Sequence, residues 1–167
     1  MTTCMTTYTT IESPLGELLL VGREGMLASL SMPGQRTAPA VRADRRRDDA
    51  AFTEAAAQLA AYFAGRLTRF ELPFAAAGTE FQQRVWQAVD AVPYGTTTTY
   101  GALAARLGVA RADTPAVGAA LAANPLLIVR PCHRVIGADG SMRGYAGGVE
   151  RKVRLLTHEG ALQPTLV

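Results

Sequence analysis

Cysteine and histidine are scarce in this chain: Cys4 and Cys132 are the only cysteines, His133 and His158 the only histidines. Two cysteines so far apart make no disulfide framework, and the four residues have no metal-ligand spacing. Neither a metal site nor a cofactor is expected. Long hydrophobic runs are missing too, since none approaches the roughly 20 residues that a membrane helix needs. The opening MTTCMTTYTT has neither the basic nor the apolar region of a signal peptide, so the expectation is a cytoplasmic protein with no membrane partner. Charge of one sign is also limited. Residues 1–78 carry eight Arg against eight Asp or Glu, and residues 79–167 nine basic against six acidic, which puts the whole net charge of +3 in the second part. That excess permits a polyanion partner without requiring one.

What is present is an ordinary globular composition, 49% hydrophobic and 19% charged over 167 residues. That length suits one large domain or two small ones. The first part reads as strands. Tyr8–Glu12 and Glu17–Val21 flank a Pro-Leu-Gly turn, and Gly22 and Gly25 bracket a second turn before Leu27–Met32. Residues 33–47 mix Pro, Gly and both charges and read as an exposed loop. A helix from Asp48 or Asp49 through Ala64 follows, with Phe52, Leu59, Tyr62 and Phe63 on one face. Phe70–Phe74 reads as a further strand, and the boundary falls near Gly78.

From Thr79 the pattern becomes helical. Thr79 is an N-cap, Phe81, Val85 and Val89 form an apolar stripe, and Trp86 belongs to the core. Thr99 caps a short helix that runs to Leu107 and stops at Gly108. Thr114 is read as the cap of the next, with Pro115 at its first position, and this helix continues to about Ala123. Two short helices joined by a tight turn form a helix-turn-helix pattern, common in proteins that never touch DNA. VIGADGSMRGYAGG then reads as a hairpin or wing of irregular backbone close to Cys132. A last helix, Val149–His158, is expected to turn Val153, Leu155 and Leu156 inward and Arg151, Lys152 and Arg154 outward. The fold class is therefore an α/β N-terminal domain with a small antiparallel sheet, residues 1–78, plus a mainly α, winged-helix-like C-terminal domain, residues 79–167.

The chemistry concentrates in LLIVRPCHRVIG, Leu126 to Gly137. Cys132 has His133 and Arg134 as neighbours, groups that favour a thiolate. Adjacent side chains of an extended segment point to opposite faces, so direct Cys132–His133 contact needs a bend or a bridging water. The residues alone leave a reactive thiol and a buried structural thiol both open.

PCHRVIG, then GYAGG, then a helix ending LLTHEG resembles the active-site region of the O6-alkylguanine-DNA alkyltransferases, the methylated-DNA–protein-cysteine methyltransferase family. TEFQQRVWQAVDAVPYGTTTTYGALAARLG and AVGAALAANP resemble the preceding helices of the same domain, and ESPLGELLL with AAYFAG the N-terminal domain. The resemblance implies a monomeric repair protein acting on double-stranded DNA that carries alkylated guanine. It would move the alkyl group irreversibly, once per molecule and without a cofactor, from guanine O6, or thymine O4, of a flipped nucleotide to Cys132. It further implies that His133 is a water-mediated base oriented by Glu159, that Tyr100 donates a proton toward guanine N3, and that Asn124 braces the turn. Val135, Tyr145, Gly147 and Arg134 would contact the alkylated base; Thr99, Tyr100, Arg111, Pro115, Ala116, Gly118 and Ala119 would meet DNA.

The sequence departs from the family at two places. Pro115 stands where an arginine usually precedes Ala-Val-Gly, and Ala146 where Ser is frequent, so weakened engagement of duplex DNA is expected, with Arg111 either a substitute cation or a solvated loop arginine paired with Asp113. The alternatives are a lesion sensor that accepts no alkyl group, against which the retained Cys132 argues, and a Cys-His enzyme acting on a small molecule.

Overall fold

The computed structural model describes residues 6–35, 45–75 and 77–162; Cys4 and residues 36–44 of the expected loop lie outside the described residues. The chain divides into two compact units, 1–77 and 78–167.

In the first unit, β1 (Thr6–Ser13), β2 (Gly16–Arg23) and β3 (Met26–Ser31) form an antiparallel meander. The β2–β3 loop is Glu24-Gly25, with φ of 55° and 76°. Both residues sit in the left-handed region that a two-residue hairpin of matching twist requires, which is why glycine ends it. The sheet is mixed and not purely antiparallel as expected. Arg45–Arg47, read as loop, forms β4 and pairs in parallel with β1, giving the order β3-β2-β1-β4. Three arginines show no apolar alternation, but an edge strand needs only backbone pairing, and charge there discourages further strand addition. Arg47 Nη2 also donates to Thr10 Oγ1 at 2.9 Å.

A 3-10 turn at Asp49–Phe52 leads into α1 (Thr53–Phe63), so the regular helix begins later than expected. Phe52, Leu59 and Tyr62 are buried, whereas Phe63 is partly exposed. Phe70–Phe74 is not a strand. A single bridge joins Phe74 to Leu27. The Gln58 side-chain amide occupies both backbone groups of Glu71, at 2.8 and 3.0 Å, and Pro73 has no N–H to offer a ladder.

The second unit opens with α2 (Glu80–Asp90), whose capping box links Thr79 and Gln82 reciprocally, at 2.9 and 3.1 Å. Val85, Trp86 and Val89 enter the core, while Phe81 is half-buried. Next come β5 (Thr98–Thr99) and α3 (Tyr100–Arg106), with Thr99 Oγ1 capping Ala102 N at 3.0 Å. α4 (Thr114–Ala122) packs on both α2 and α3. Thr114 is not its cap. A 3-10 turn at Arg111–Asp113 runs straight into α4, Thr114 is already helical (φ −53°, ψ −37°), and its hydroxyl donates to Arg111 O at 2.8 Å.

Of the two expected forms, a hairpin or a wing of irregular backbone, the second is found. β6 (Val135–Ile136) pairs in parallel with β5, and residues 137–148 form turns held by Gly137 N–Ser141 O and Gly140 N–Gly137 O bonds. α5 (Val149–His158) corrects the last expectation: Lys152 is fully buried and Val153 is 37% exposed. Lys152, Leu155, Leu156 and Glu159 follow the i, i+3, i+4, i+7 stripe that faces the core, and Val153 falls off it. Among the described residues no helix is long and apolar enough to cross a membrane.

Candidate active site

The segment from Asn124 to Arg134 delivers the thiol through a knotted local backbone. Asn124 Oδ1 accepts from Leu126 N at 3.0 Å and Nδ2 donates to Leu126 O at 3.2 Å, closing a side-chain turn. Ile128 follows with φ of 68° and is 2% exposed. A β-branched residue in the left-handed region is strained by about 1–3 kcal/mol, which the surrounding packing must offset. Cys132, His133 and Arg134 then form a 3-10 turn. This is the bend that an extended reading of PCHR lacks.

Cys132 is 5% exposed. Burial pushes its thiol up to about 12, opposed by the positive charge of Arg130, by the Asn124 side chain and by Lys152, and reinforced by Asp90. His133 is fully buried and meets Glu159 Oε2 through Nε2 at 2.7 Å. A carboxylate only accepts, so the imidazole proton sits on Nε2 and the Nδ1 lone pair is free to act as a base. Nδ1 is buried and has no protein partner. Burial lowers the His133 pKa below 6.5 despite the carboxylate, which keeps the ring neutral.

Glu159 is itself held from two sides. Arg134 Nε and Nη2 fork onto its two oxygens at 2.8 and 3.2 Å, and Arg134 Nη1 donates to Val92 O at 2.7 Å. Arg134, expected to contact the substrate, therefore braces the carboxylate: it is 7% exposed and its donors face inward. Gly95, with φ of 80°, lets the loop after α2 press against the Glu159 backbone, where a Cβ would lie 3.2 Å from the carbonyl oxygen.

The other expected residues surround the thiol unequally. Tyr145 stands edge-on to His133, ring centroids 6.3 Å apart, with its hydroxyl buried near the Ile128 backbone. Tyr100, at the start of α3, is half-buried; desolvation raises its pKa, so the phenol stays protonated. Its ring lies against α4, where a Cβ on Gly118 would come 3.9 Å from Tyr100 Cδ1. Val135 is fully buried and Gly147 accepts from Arg151 Nη1 at 3.1 Å. Of the expected DNA-facing set, Arg111, Pro115, Ala116 and Ala119 are exposed, Thr99 and Gly118 half-buried. Arg111 makes no ion pair among the described residues, so it is not tied to Asp113. Among the described residues no three His, Cys, Asp or Glu side chains come together in a way that could hold a metal ion.

The sequence alone does not reveal two buried cations beside the site. Lys152, the single lysine of the chain, donates from Nζ to the carbonyls of Val135, Met142 and Gly144 at 2.6, 2.6 and 3.1 Å, tying α5 to β6 and to the loop before Tyr145. Its place on the i, i+3, i+4, i+7 stripe was the available signal. Arg130, 5% exposed, stacks 4.9 Å over the Trp86 ring and reaches Asp90 and Asn124. A lone charge closing the apolar run LLIV was its signal.

A buried thiol on a tight turn, beside a neutral His fixed by a Glu and in the same unit as a helix-turn-helix, is an arrangement suited to chemistry at a single cysteine. The sequence pattern of the DNA-binding domain of 6-O-methylguanine DNA methyltransferase matches residues 80–161, and that of the same proteins' ribonuclease-like domain matches residues 6–76. The chain belongs to the 6-O-methylguanine DNA methyltransferase family. It is 46% identical over 160 residues, 96% of each chain, to a methylated-DNA–protein-cysteine methyltransferase of Mycolicibacterium paratuberculosis. A protein of the same name from Methanosarcina barkeri is 45% identical over 152 residues, covering 91% of this chain and 96% of the relative. Among solved structures, Mycobacterium tuberculosis OGT in complex with DNA superposes with a TM-score of 0.86 at 45% identity, over 93% of each chain.

Proposed function

We propose that the protein repairs DNA by direct reversal, transferring an alkyl group from O6 of guanine to Cys132 in a single irreversible turnover in the cytoplasm. The carrying observation is the 2.7 Å His133–Glu159 pair on the turn that bears the buried thiol. At its ordinary burial the thiol is protonated, so the reaction needs a base at the moment of transfer. His133 Nδ1 takes the Cys132 proton through a bridging water, sulfur attacks the alkyl carbon, and the bond from carbon to O6 breaks. The departing guanine takes a proton at N3 from Tyr100, whose raised pKa keeps that proton available. Glu159 stabilises the imidazolium that forms, and Asn124 holds the turn. Val135, Tyr145 and Gly147 line the base pocket.

DNA meets Thr99, Tyr100, Arg111 and the α4 surface of Pro115, Ala116, Gly118 and Ala119. The exposed positions of that helix carry no cation, and Arg111 is the exposed cation of the preceding turn. Without a polar wedge, flipping loses help of about 1–3 kcal/mol, least for adducts that already disrupt pairing. The test is intact-mass spectrometry after incubation with duplex DNA containing O6-methylguanine. A permanent gain of one methyl group that vanishes in Cys132→Ala is expected; no gain in the parent protein would overturn the reading.

A further inference from the structure

Arg130 is a charge buried where an apolar side chain would fill the space. Its guanidinium stacks on Trp86, whose Nε1 donates to Ala120 O at 2.9 Å, so the platform beneath it is itself fixed to α4. Its Nε meets Asp90 Oδ1 at 3.3 Å and its Nη1 meets Asn124 Oδ1 at 3.3 Å. Asp90 is one-third exposed, and Arg130 is not. The pair is therefore lopsided: water screens the carboxylate, while the cation keeps its field in the interior.

Two residues further along the chain is Cys132, which shares the Asn124 side chain with Arg130. We propose that Arg130 is a positioning residue for alkyl transfer: it fixes the Asn124 amide against the thiol and supplies the buried positive charge that favours the thiolate. The proposal rests on the reading of Cys132 as the alkyl acceptor. Other charged or titratable groups that act on the sulfur or its base are Asp90 of α2, Tyr100 of α3, Lys152 of α5, Tyr145 of the preceding loop, and His133 with Glu159 and Arg134. Lys152 is engaged by three carbonyls, Arg134, equally near in sequence, is paired with Glu159, and the two phenols are neutral, so Arg130 is the cation linked to the thiol through a shared amide.

The test uses the full chain with Cys4→Ser, so that Cys132 is the single thiol. Two rates are followed between pH 6 and pH 10: alkylation by iodoacetamide, and methyl transfer from duplex O6-methylguanine. In Arg130→Met both rate-against-pH curves move up by about one unit, so the rate at a given pH falls about tenfold. Arg130→Lys keeps the charge and leaves the curves within about 0.3 unit of the parent, with a slower transfer rate because the bond to Asn124 is lost. Asp90→Asn removes the opposing charge and moves both curves down. If Arg130→Met does not fold, the last variant decides alone: an unmoved curve there overturns the proposal. Curves that superimpose for all three variants, whatever happens to Tm, make Arg130 a packing residue for Trp86 only. Failure of the parent to take methyl from DNA would sink the acceptor reading instead, while the iodoacetamide series still decides the role of Arg130.

Discussion

Replacing Lys152 by Met removes a cation but almost no volume, so the consequence is electrostatic and not a cavity. Three carbonyls lose their donor. The Val135 carbonyl belongs to a fully buried residue and is left dry, which costs about 1–3 kcal/mol. Met142 is half-buried and Gly144 exposed, so water replaces much of what their carbonyls lose. The sum is about 2–4 kcal/mol, or a fall in Tm of about 5–15 °C for a chain of this size. Thermal unfolding followed by circular dichroism checks it, with Arg154→Met as the exposed control on the same helix, expected within about 0.5 kcal/mol of the parent. Burial pushes the Lys152 ammonium down from 10.5 to about 8, so the folded state holds fewer protons than the unfolded one between those values. This contribution to stability is complete above the ordinary pKa and is lost as the pH falls through about 8. The parent should therefore gain on the Met variant as the pH rises from 8 toward 10.5. A Met variant within 1 kcal/mol of the parent would refute the clamp, and a difference flat with pH would refute the lowered ammonium pKa.

Glu159→Gln should leave the buried Arg134 guanidinium without its counter-charge, destabilising the fold by about 3–5 kcal/mol. It should also slow methyl transfer by about 10²–10⁴, since the His133 tautomer is no longer fixed; single-turnover mass spectrometry together with urea unfolding reads both. Thr79→Ala removes one arm of the capping box and should cost about 1 kcal/mol, with transfer rates at saturating DNA unchanged. A transfer rate that falls with it would mean that α2 reaches the site through its N-terminus.

Local chemistry was legible wherever it decided the outcome. Thr79 and Thr99 cap the helices expected of them because the bond runs to a backbone group three residues on, within reach of any sequence window. Thr114 fails the same rule because the turn before it is already helical, which no side chain announces. β4 was illegible for the opposite reason: its arginines pair through backbone alone, with β1 some 40 residues away in sequence. Hydrophobicity alone turns Val153 inward and Lys152 outward, the reverse of what helical position dictates. The carbonyls of Val135, Met142 and Gly144 lie elsewhere in the chain, and they make a charge at that position favourable.

The site itself follows the same division, and its energetics explain why Cys132 could not be decided from its neighbours. A thiol at about 12 is ionised in roughly one molecule in 10⁵ at pH 7, five units lower. Sequence adjacency to His133 and Arg134 invites the view that they lower that value. The structure assigns them elsewhere: Arg134 neutralises Glu159, and His133 turns its Nε2 to the same carboxylate. The two neighbours thus build a poised base and not a standing thiolate. A thiolate present at all times would react with any electrophile small enough to enter. Under the proposed function, a buried neutral thiol deprotonated only when an alkylated base occupies the pocket and orders the proton path to Nδ1 would confine an irreversible reaction to its intended partner. Reactivity in PCHR therefore resides in contacts made 25 and 26 residues away, at Glu159, and no reading of the motif alone can supply them.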